Sequence, residues 1–325
     1  HYGAWRERAK ELFEGEENKE QKLQEGEGIS FFKEENMPIS TNFYLYLSGT
    51  PFRAISTGEF IEEQIFNWTY SDEQNAKNKW VGDKNPYSSL PRMVLMTYKV
   101  PDYISEIASE GEFDEFDLNT FFSAKYEEEA SEFVYKDEVQ KWLDLIRGQN
   151  LESIKQNLKL KEKKPPYPFS DSRLLSLLSH TFWYLPNVSS CYAMKNLLSE
   201  RQNSFFHGYK IIVAAGNKAG LGLKALWPVR DAMDNPLESK SITLSCGKLT
   251  TGVSVKPWSG IFMLRNISSP ETYFQSAFRV QTPWEIDNPD NESSNKKDIL
   301  KENCYVFDFA PNRALTQISD YSCNL

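Results

Sequence analysis

The sequence predicts an α/β protein organised around a parallel sheet. Three observations lead there. Short apolar runs recur along the 325 residues, most of them end in a loop of small or polar residues, and helix-forming segments separate them. The series is densest after residue 166, where strands are expected over 181–185, 210–215, 242–244, 260–264 and 305–309. Helices are expected between them over 174–180, 189–198 and 272–278.

Upstream the pattern is looser. Residues 4–26 (AWRERAKELFEGEENKEQKLQEG) are helix-forming and strongly charged, punctuated by Gly15, Gly26 and Gly28. An apolar strand over 43–47 runs into Ser48-Gly49-Thr50-Pro51, a turn of the kind that forms the ligand-facing edge of an α/β sheet. Apolar and aromatic residues continue over 60–70 to a charged helix start at Asp72-Glu73-Gln74. A Pro- and Ser-rich connector at 85–91 precedes a strand at 93–100, bounded by Pro91 and Pro101. From 102 to about 164 the sequence is helical and acidic, and such charge runs are most often solvated helix faces. Its amphipathic stretch covers 138–147. The run KLKEKKPPYP at 159–168 marks a boundary.

The length accommodates two domains, and 40% hydrophobic with 14% aromatic residues fits a folded protein. No apolar run approaches the roughly 18 residues of a membrane span, and no secretory leader pattern opens the chain. Cys191, Cys246, Cys304 and Cys323 are scattered without a CxxC pair, which disfavours zinc sites and disulfide frameworks and makes a reducing cytoplasm the expected location. The net charge of -9 argues against a simple basic nucleic-acid module. It is unevenly spread: the first 165 residues carry 21 basic against 32 acidic side chains, the remainder 16 against 14. A phosphate-binding track would therefore be local, lined by a few cations and backbone amides.

The loop from 243 to 255 crowds Gly247, Thr250, Thr251, Gly252 and Ser254 together, with Lys248 as a local cation. Small residues let a backbone approach a phosphate and hydroxyls donate to its oxygens; an ordinary strand-to-helix loop has the same composition. In the helix that follows, Gln275 and Arg279 share one face at a spacing of four, and Phe274 and Phe278 share another that can pack on the sheet. Arg279 suits the stabilisation of growing phosphoryl charge, and equally a surface ion pair. Asn187-Val188-Ser189-Ser190 reads as a helix cap that satisfies helix amides or meets a backbone phosphate. The loop at 216–222 fits neither GxxxxGK[ST] nor GxGxxG. His1, His180 and His207 lie far apart in the sequence, so no hydrolytic triad or metal set is expected, and no acidic pair ends an apolar strand.

Taken in order, YLSGTPFR (46–53), WYLPNVSSC (183–191), SCGKLTTGVSV (245–255) and YFQSAFRVQTPW (273–284) resemble the superfamily 2 helicases. More narrowly, they resemble the DEAD/DEAH-type motors of bacterial restriction systems. The resemblance spans about 43–309. It implies RecA-like lobes: 1–90 as the C-terminal part of a first lobe, 91–165 as a linker strand and acidic helical insertion, and 166–325 as the second lobe. It also implies that His1 ends a D-E-x-H motif, and that the chain is the C-terminal portion of an ATP-dependent translocase acting on nucleic acid, with double-stranded DNA as the expected track.

Residue by residue, the resemblance places Ser48 and Thr50, with His1, in coupling nucleotide state to movement. It places Asn187, Ser189, Lys248 and Thr250 at the nucleic-acid backbone, and Thr251, Gly252 and Ser254 at the nucleotide. Gln275 and Arg279 become catalytic, Arg279 as the arginine finger. Ser254 stands where many relatives have an acidic residue that meets the ribose, and Thr282 where many have a second Arg, which leaves finger duty to Arg279 alone. ATP and Mg²⁺ are the implied cofactors, although the sequence holds no Walker A motif and no Mg²⁺-binding acids. A nuclease or methyltransferase is the implied fused domain or partner subunit, and no membrane is involved. The competing reading is a non-catalytic RecA-like module that docks such a partner. A dinucleotide enzyme would need a Gly-rich first turn with an acidic residue about 20 positions on, which the sequence lacks.

Overall fold

The computed structural model describes residues 45, 65–105, 108, 116–126, 128–149, 166–220, 223–250, 252–290 and 296–323. The chain forms two compact units, His1–Phe66 and Asn67–Leu325, and every strand and helix among the described residues belongs to the second. The helix expected over 4–26, the strand over 43–47 apart from Leu45, and the turn at 48–51 lie outside the described residues.

The strands are β1 (Arg92–Thr97), β2 (Ala124–Lys125), β3 (Glu132–Phe133), β4 (His180–Tyr184), β5 (Lys210–Val213), β6 (Ser241–Ser245), β7 (Gly260–Met263), β8 (Glu285–Asp287), β9 (Lys297–Ile299) and β10 (Asn303–Asp308). The helices are α1 (Tyr70–Lys79), α2 (Asp102–Ser105), α3 (Leu118–Phe121), α4 (Lys136–Ile146), α5 (Ser172–Leu177), α6 (Val188–Leu198), α7 (Leu223–Ala232), α8 (Pro270–Ala277) and α9 (Pro311–Cys323). Six strands form one wholly parallel sheet in the order β1-β10-β7-β4-β6-β5. This is the α/β class expected, a parallel sheet flanked by helices, and it is compatible with a RecA-like lobe. Among the described residues no helix is long and apolar enough to cross a membrane.

Both faces of the sheet are buried, which is why its central strands read as continuous apolar runs. Alternate residues divide between the faces: Trp183, Leu244, Phe262 and Phe307 point to one, Phe182, Ile261, Met263 and Val306 to the other. The first face is covered by α6 and α4, the second by α7, α8 and the loop residue Trp258. Close approach is demanded at Gly260, where an added Cβ would lie 2.7 Å from Leu178 and 3.2 Å from Phe307.

The amphipathic segment expected at 138–147 is realised as α4, with its charged face in solvent and its apolar stripe in the core. Asp137 and Lys141 of α4 are exposed, but Val139, Trp142, Leu143 and Ile146 form a fully buried stripe at helical spacing. Trp142 meets Trp183 and Phe309 edge-on, with ring centroids 6.0 and 5.2 Å apart, so this helix is part of the sheet's own core. The strand expected at 93–100 is likewise, among the described residues, an edge strand of the sheet, paired along its length with β10.

Four elements had no counterpart in the sequence reading: α7, α9, and the small antiparallel ribbons β2–β3 and β8–β9. The helix expected over 174–180 ends at Leu177, and His180 opens β4. Phe274 and Phe278 do not both face the sheet. Tyr273 and Ala277 take that place, while Phe274 and Phe278 turn toward Tyr321 of α9, at centroid distances of 4.1 and 6.4 Å.

His180 is a satisfied core histidine. Its Nε2 donates to the Pro236 carbonyl at 2.9 Å, which fixes the tautomer and leaves Nδ1 to accept from Ser241 Oγ at 2.8 Å. Burial lowers its pKa. Protonation is thus easier in the unfolded chain, so the stabilising contribution is complete above the unfolded value of about 6.5 and is lost as pH falls below it. Thermal midpoints measured from pH 7 down to pH 5 should decline, and His180→Gln should flatten that slope by at most about 1.4 kcal/mol per pH unit. An unchanged slope in the variant would assign the acid sensitivity elsewhere.

Candidate functional site

Adjacent strands β4 and β7 are followed by helices on opposite faces: α6 on one, α8 on the other. Their carboxyl ends therefore bound a topological switch point, where open α/β sheets form their ligand crevice. Of the candidate residues on the described segments, Asn187, Ser189, Lys248 and Thr250 gather along this edge.

At the end of β4, Asn187 caps α6. Its side-chain oxygen accepts from the Ser190 N–H at 2.8 Å and the Ser190 hydroxyl at 2.9 Å. Of the two uses open to this segment, the structure realises the cap. Ser189 follows, half-buried in the first turn. Beyond β6, the loop folds on itself: Ser245 Oγ donates to the Lys248 carbonyl at 2.6 Å and Thr250 Oγ1 to the Gly247 carbonyl at 2.6 Å. Lys248 Nζ donates to the carbonyls of Gly216 and Gly220, both at 2.5 Å, and so holds the loop after β5. Gly216 in turn lies against Val188, its missing Cβ 3.0 Å from that side chain. The three segments 187–190, 216–220 and 246–250 are thereby one contiguous surface. The donors of Lys248 and Thr250, expected at nucleic acid, here organise the loop.

Gly252 has φ +70°, and among the described residues no atom beyond its chain neighbours lies within 4 Å of where a Cβ would stand; Ser254 is exposed. Arg279 lies in the 3-10 turn Phe278–Gln281 that continues α8. Its Nε donates to the Gln275 carbonyl at 3.1 Å and its Nη1 to the Val253 carbonyl at 2.7 Å. The guanidinium is half-buried, which lowers its pKa without approaching deprotonation. Gln275 and Arg279 are thus joined to the stretch containing Gly252 and Ser254. Thr251, Ser48, Thr50 and His1 lie outside the described residues.

Several polar residues at this edge went unread in the sequence. Arg265, just past β7, donates from Nη1 to the Cys246 carbonyl at 3.0 Å and lies 5.0 Å from the centre of the Tyr184 ring. Asn266 gathers α3 and α9: its Oδ1 accepts from the Leu118 N–H at 3.0 Å and Arg313 Nη1 at 2.5 Å, and its Nδ2 donates to Asp117 Oδ1 at 2.9 Å. Their one sequence signal is position, immediately after a strand that ends at the ligand edge.

Lys301 carried no signal at all. It is 4% exposed, and its Nζ donates to the carbonyls of Lys256, Trp258 and Val280 at 2.8, 2.7 and 2.8 Å. Burial pulls its pKa down to about 7, while three acceptors match the three N–H bonds of an ammonium. Lys301 and Arg279 therefore fasten the same pair of segments, 253–258 and 279–280, from two sides. Among the described residues no group of three or more His, Cys, Asp or Glu side chains is arranged to hold a metal ion.

No protein-family model matches the chain. Over 99% of its length it is 27% identical to a Mycoplasma pneumoniae protein described as "Putative type II restriction enzyme and methyltransferase RM.MpnORF110P C-terminus". The chain spans about half of that protein, 46% of its length.

Proposed function

We propose that the chain is the C-terminal portion of an ATP-dependent DNA translocase or helicase of a restriction-modification system. The observation that carries this reading is the Arg279–Val253 contact. It ties the two segments that most resemble helicase motifs into one unit. The similarity to a protein named for restriction and methylation supports the setting.

The residues present fit a triphosphate. Gly252 leaves its backbone open to close approach, Ser254 offers an exposed hydroxyl, and Arg279 is anchored beside them with its charge retained. ATP supplies a phosphoanhydride bond whose hydrolysis powers movement. Arg279 stabilises the charge that develops there, and Gln275, through its carbonyl, fixes the direction of the guanidinium. The surface made by 187–190, 216–220 and 246–250 holds the DNA backbone, with α6 presenting its N-terminal amides. The Walker lysine and the Mg²⁺-binding acids of such motors have no counterpart in this sequence.

The test is ATP hydrolysis by the intact protein. Double-stranded DNA should stimulate it about tenfold or more, and the stimulation should fall steeply between 50 and 200 mM salt as phosphate contacts are screened. Turnover indifferent to DNA would reject a DNA-driven motor. No turnover together with tight binding of a methyltransferase or nuclease would favour the docking module instead.

A further inference from the structure

Phosphate binding by the surface of 187–190, 216–220 and 246–250 calls for a cation with donors still available. The three segments contain two, Lys218 and Lys248. Both are engaged: Lys248 Nζ holds the Gly216 and Gly220 carbonyls, and Lys218 pairs with Glu129 at 3.2 Å. Arg265, half-buried just past β7, is placed to supply what they do not. The Leu264 N–H bonds the Tyr184 carbonyl at 2.9 Å, and the Leu185 N–H bonds the Ser245 carbonyl at 2.8 Å. The chain therefore leaves β7 beside Leu185, two residues before the α6 cap at Asn187, with the end of β6 on the far side of β4.

Two contacts hold the guanidinium in place. Nη1 donates to the Cys246 carbonyl at 3.0 Å, and the guanidinium carbon lies 5.0 Å from the centre of the Tyr184 ring. It thus spans the ends of β7, β4 and β6, with its plane fixed before any ligand arrives, which lowers the entropy lost on binding. The edge made by Nε and Nη2 faces away from the Cys246 bond, and it is the edge that can give a phosphate two parallel hydrogen bonds. Nε is buried without an acceptor, and Nη2 donates no bond to the described residues. Among the described residues no carboxylate forms an ion pair with Arg265. A clamp between strands would need Nη1 alone, and a buried donor left without an acceptor is costly unless a ligand completes it.

We propose that Arg265 receives a phosphodiester of the DNA backbone on its Nε–Nη2 edge and is the charged contact of the surface formed by 187–190, 216–220 and 246–250. This rests on the reading of the chain as part of a DNA motor. The phosphates of a nucleotide are the other source of the same chemistry. The backbone is favoured by position: Arg265 touches the ends of β4 and β6, which lead into 187–190 and 246–250, whereas Arg279 is joined to the stretch at 252–254.

The test is fluorescence anisotropy of a labelled DNA duplex titrated with the intact protein at several salt concentrations between about 50 and 200 mM. Arg265→Gln should weaken binding about tenfold, equally for duplexes of different sequence, and reduce the slope of log affinity against log salt by about one. The ATP concentration for half-maximal hydrolysis should not change. Arg265→Lys should keep the slope, since the charge remains, yet bind more weakly because an ammonium cannot hold Cys246 and a phosphate from one planar fork. Wild-type affinity and slope in the glutamine variant would overturn the contact, and so would a raised ATP requirement with DNA binding intact. Should the thermal midpoint show that the glutamine variant is unfolded, the lysine variant decides. Lower affinity at the wild-type slope supports the contact, and unchanged affinity overturns it. A wild-type protein that binds no duplex overturns the motor reading and the contact together, whereas variants that bind like a DNA-binding wild type overturn the contact alone.

Discussion

Lys301→Met lowers the stability of the 67–325 unit by about 3 kcal/mol, as three buried carbonyls lose their donor at once. Each unsatisfied carbonyl costs roughly 1–3 kcal/mol, and the relief of no longer burying an ammonium offsets part of the total. Methionine keeps most of the apolar stem, so the loss reports the hydrogen bonds rather than a cavity. Differential scanning calorimetry should register a drop of about 6–12 °C in the thermal midpoint, on a scale of 2–4 °C per kcal/mol for a unit of this size. A shift below about 2 °C would mean that water reaches these carbonyls, and that Lys301 does not fasten the 256–258 loop to the turn at Val280.

The second large effect concerns turnover. Under the proposed function, Arg279→Ala in the intact protein reduces DNA-stimulated ATP hydrolysis about a thousandfold or more, the lower range for loss of an arginine finger. ATP binding persists, because the charge that Arg279 meets grows mainly in the transition state. The alanine also gives up the contacts to Val253 and Gln275, a structural cost to be followed by the thermal midpoint. Arg279→Lys separates the two roles. It keeps a positive charge but cannot donate to two carbonyls and a phosphate oxygen from one planar fork, so activity should stay low. Full turnover in the alanine variant would remove Arg279 from the chemistry, and recovery with lysine would reduce its role to charge alone.

How much was legible follows from what each element buries. The strands of the sheet stood out because a parallel strand covered on both faces becomes an unbroken apolar run, as in TFWYL before Pro186 or YVFDF at 305–309. The α6 cap was readable from Asn187 and α4 from its stripe of Val139, Trp142, Leu143 and Ile146. The helix α7 was hidden by Pro228 inside it and by the glycine-rich loop before it. The β8–β9 ribbon is three residues on a side, too short to show a period. The candidate site was legible as segments and not as contacts. Nothing in the spacing of single cations says that Lys248 reaches Gly216, that Arg279 reaches Val253, or that Lys301 is buried at all. Each depends on which strands become neighbours, and strand order is not written in the local pattern.

The pairing of β1 with β10 has a consequence for synthesis. Six consecutive residues of β1 align with six of β10, from Arg92 opposite Asn303 to Thr97 opposite Asp308. These partners are separated by roughly 200 residues, so at about 5–20 residues per second the first waits on the order of 10–40 s for the second to leave the ribosome. During that interval the MVLM stretch of β1 lacks its β10 partner, while β7, which β10 must also join, is already made. The sheet is closed last by its most distant pair, and the nascent chain is most exposed to aggregation, and most in need of a chaperone, until that moment.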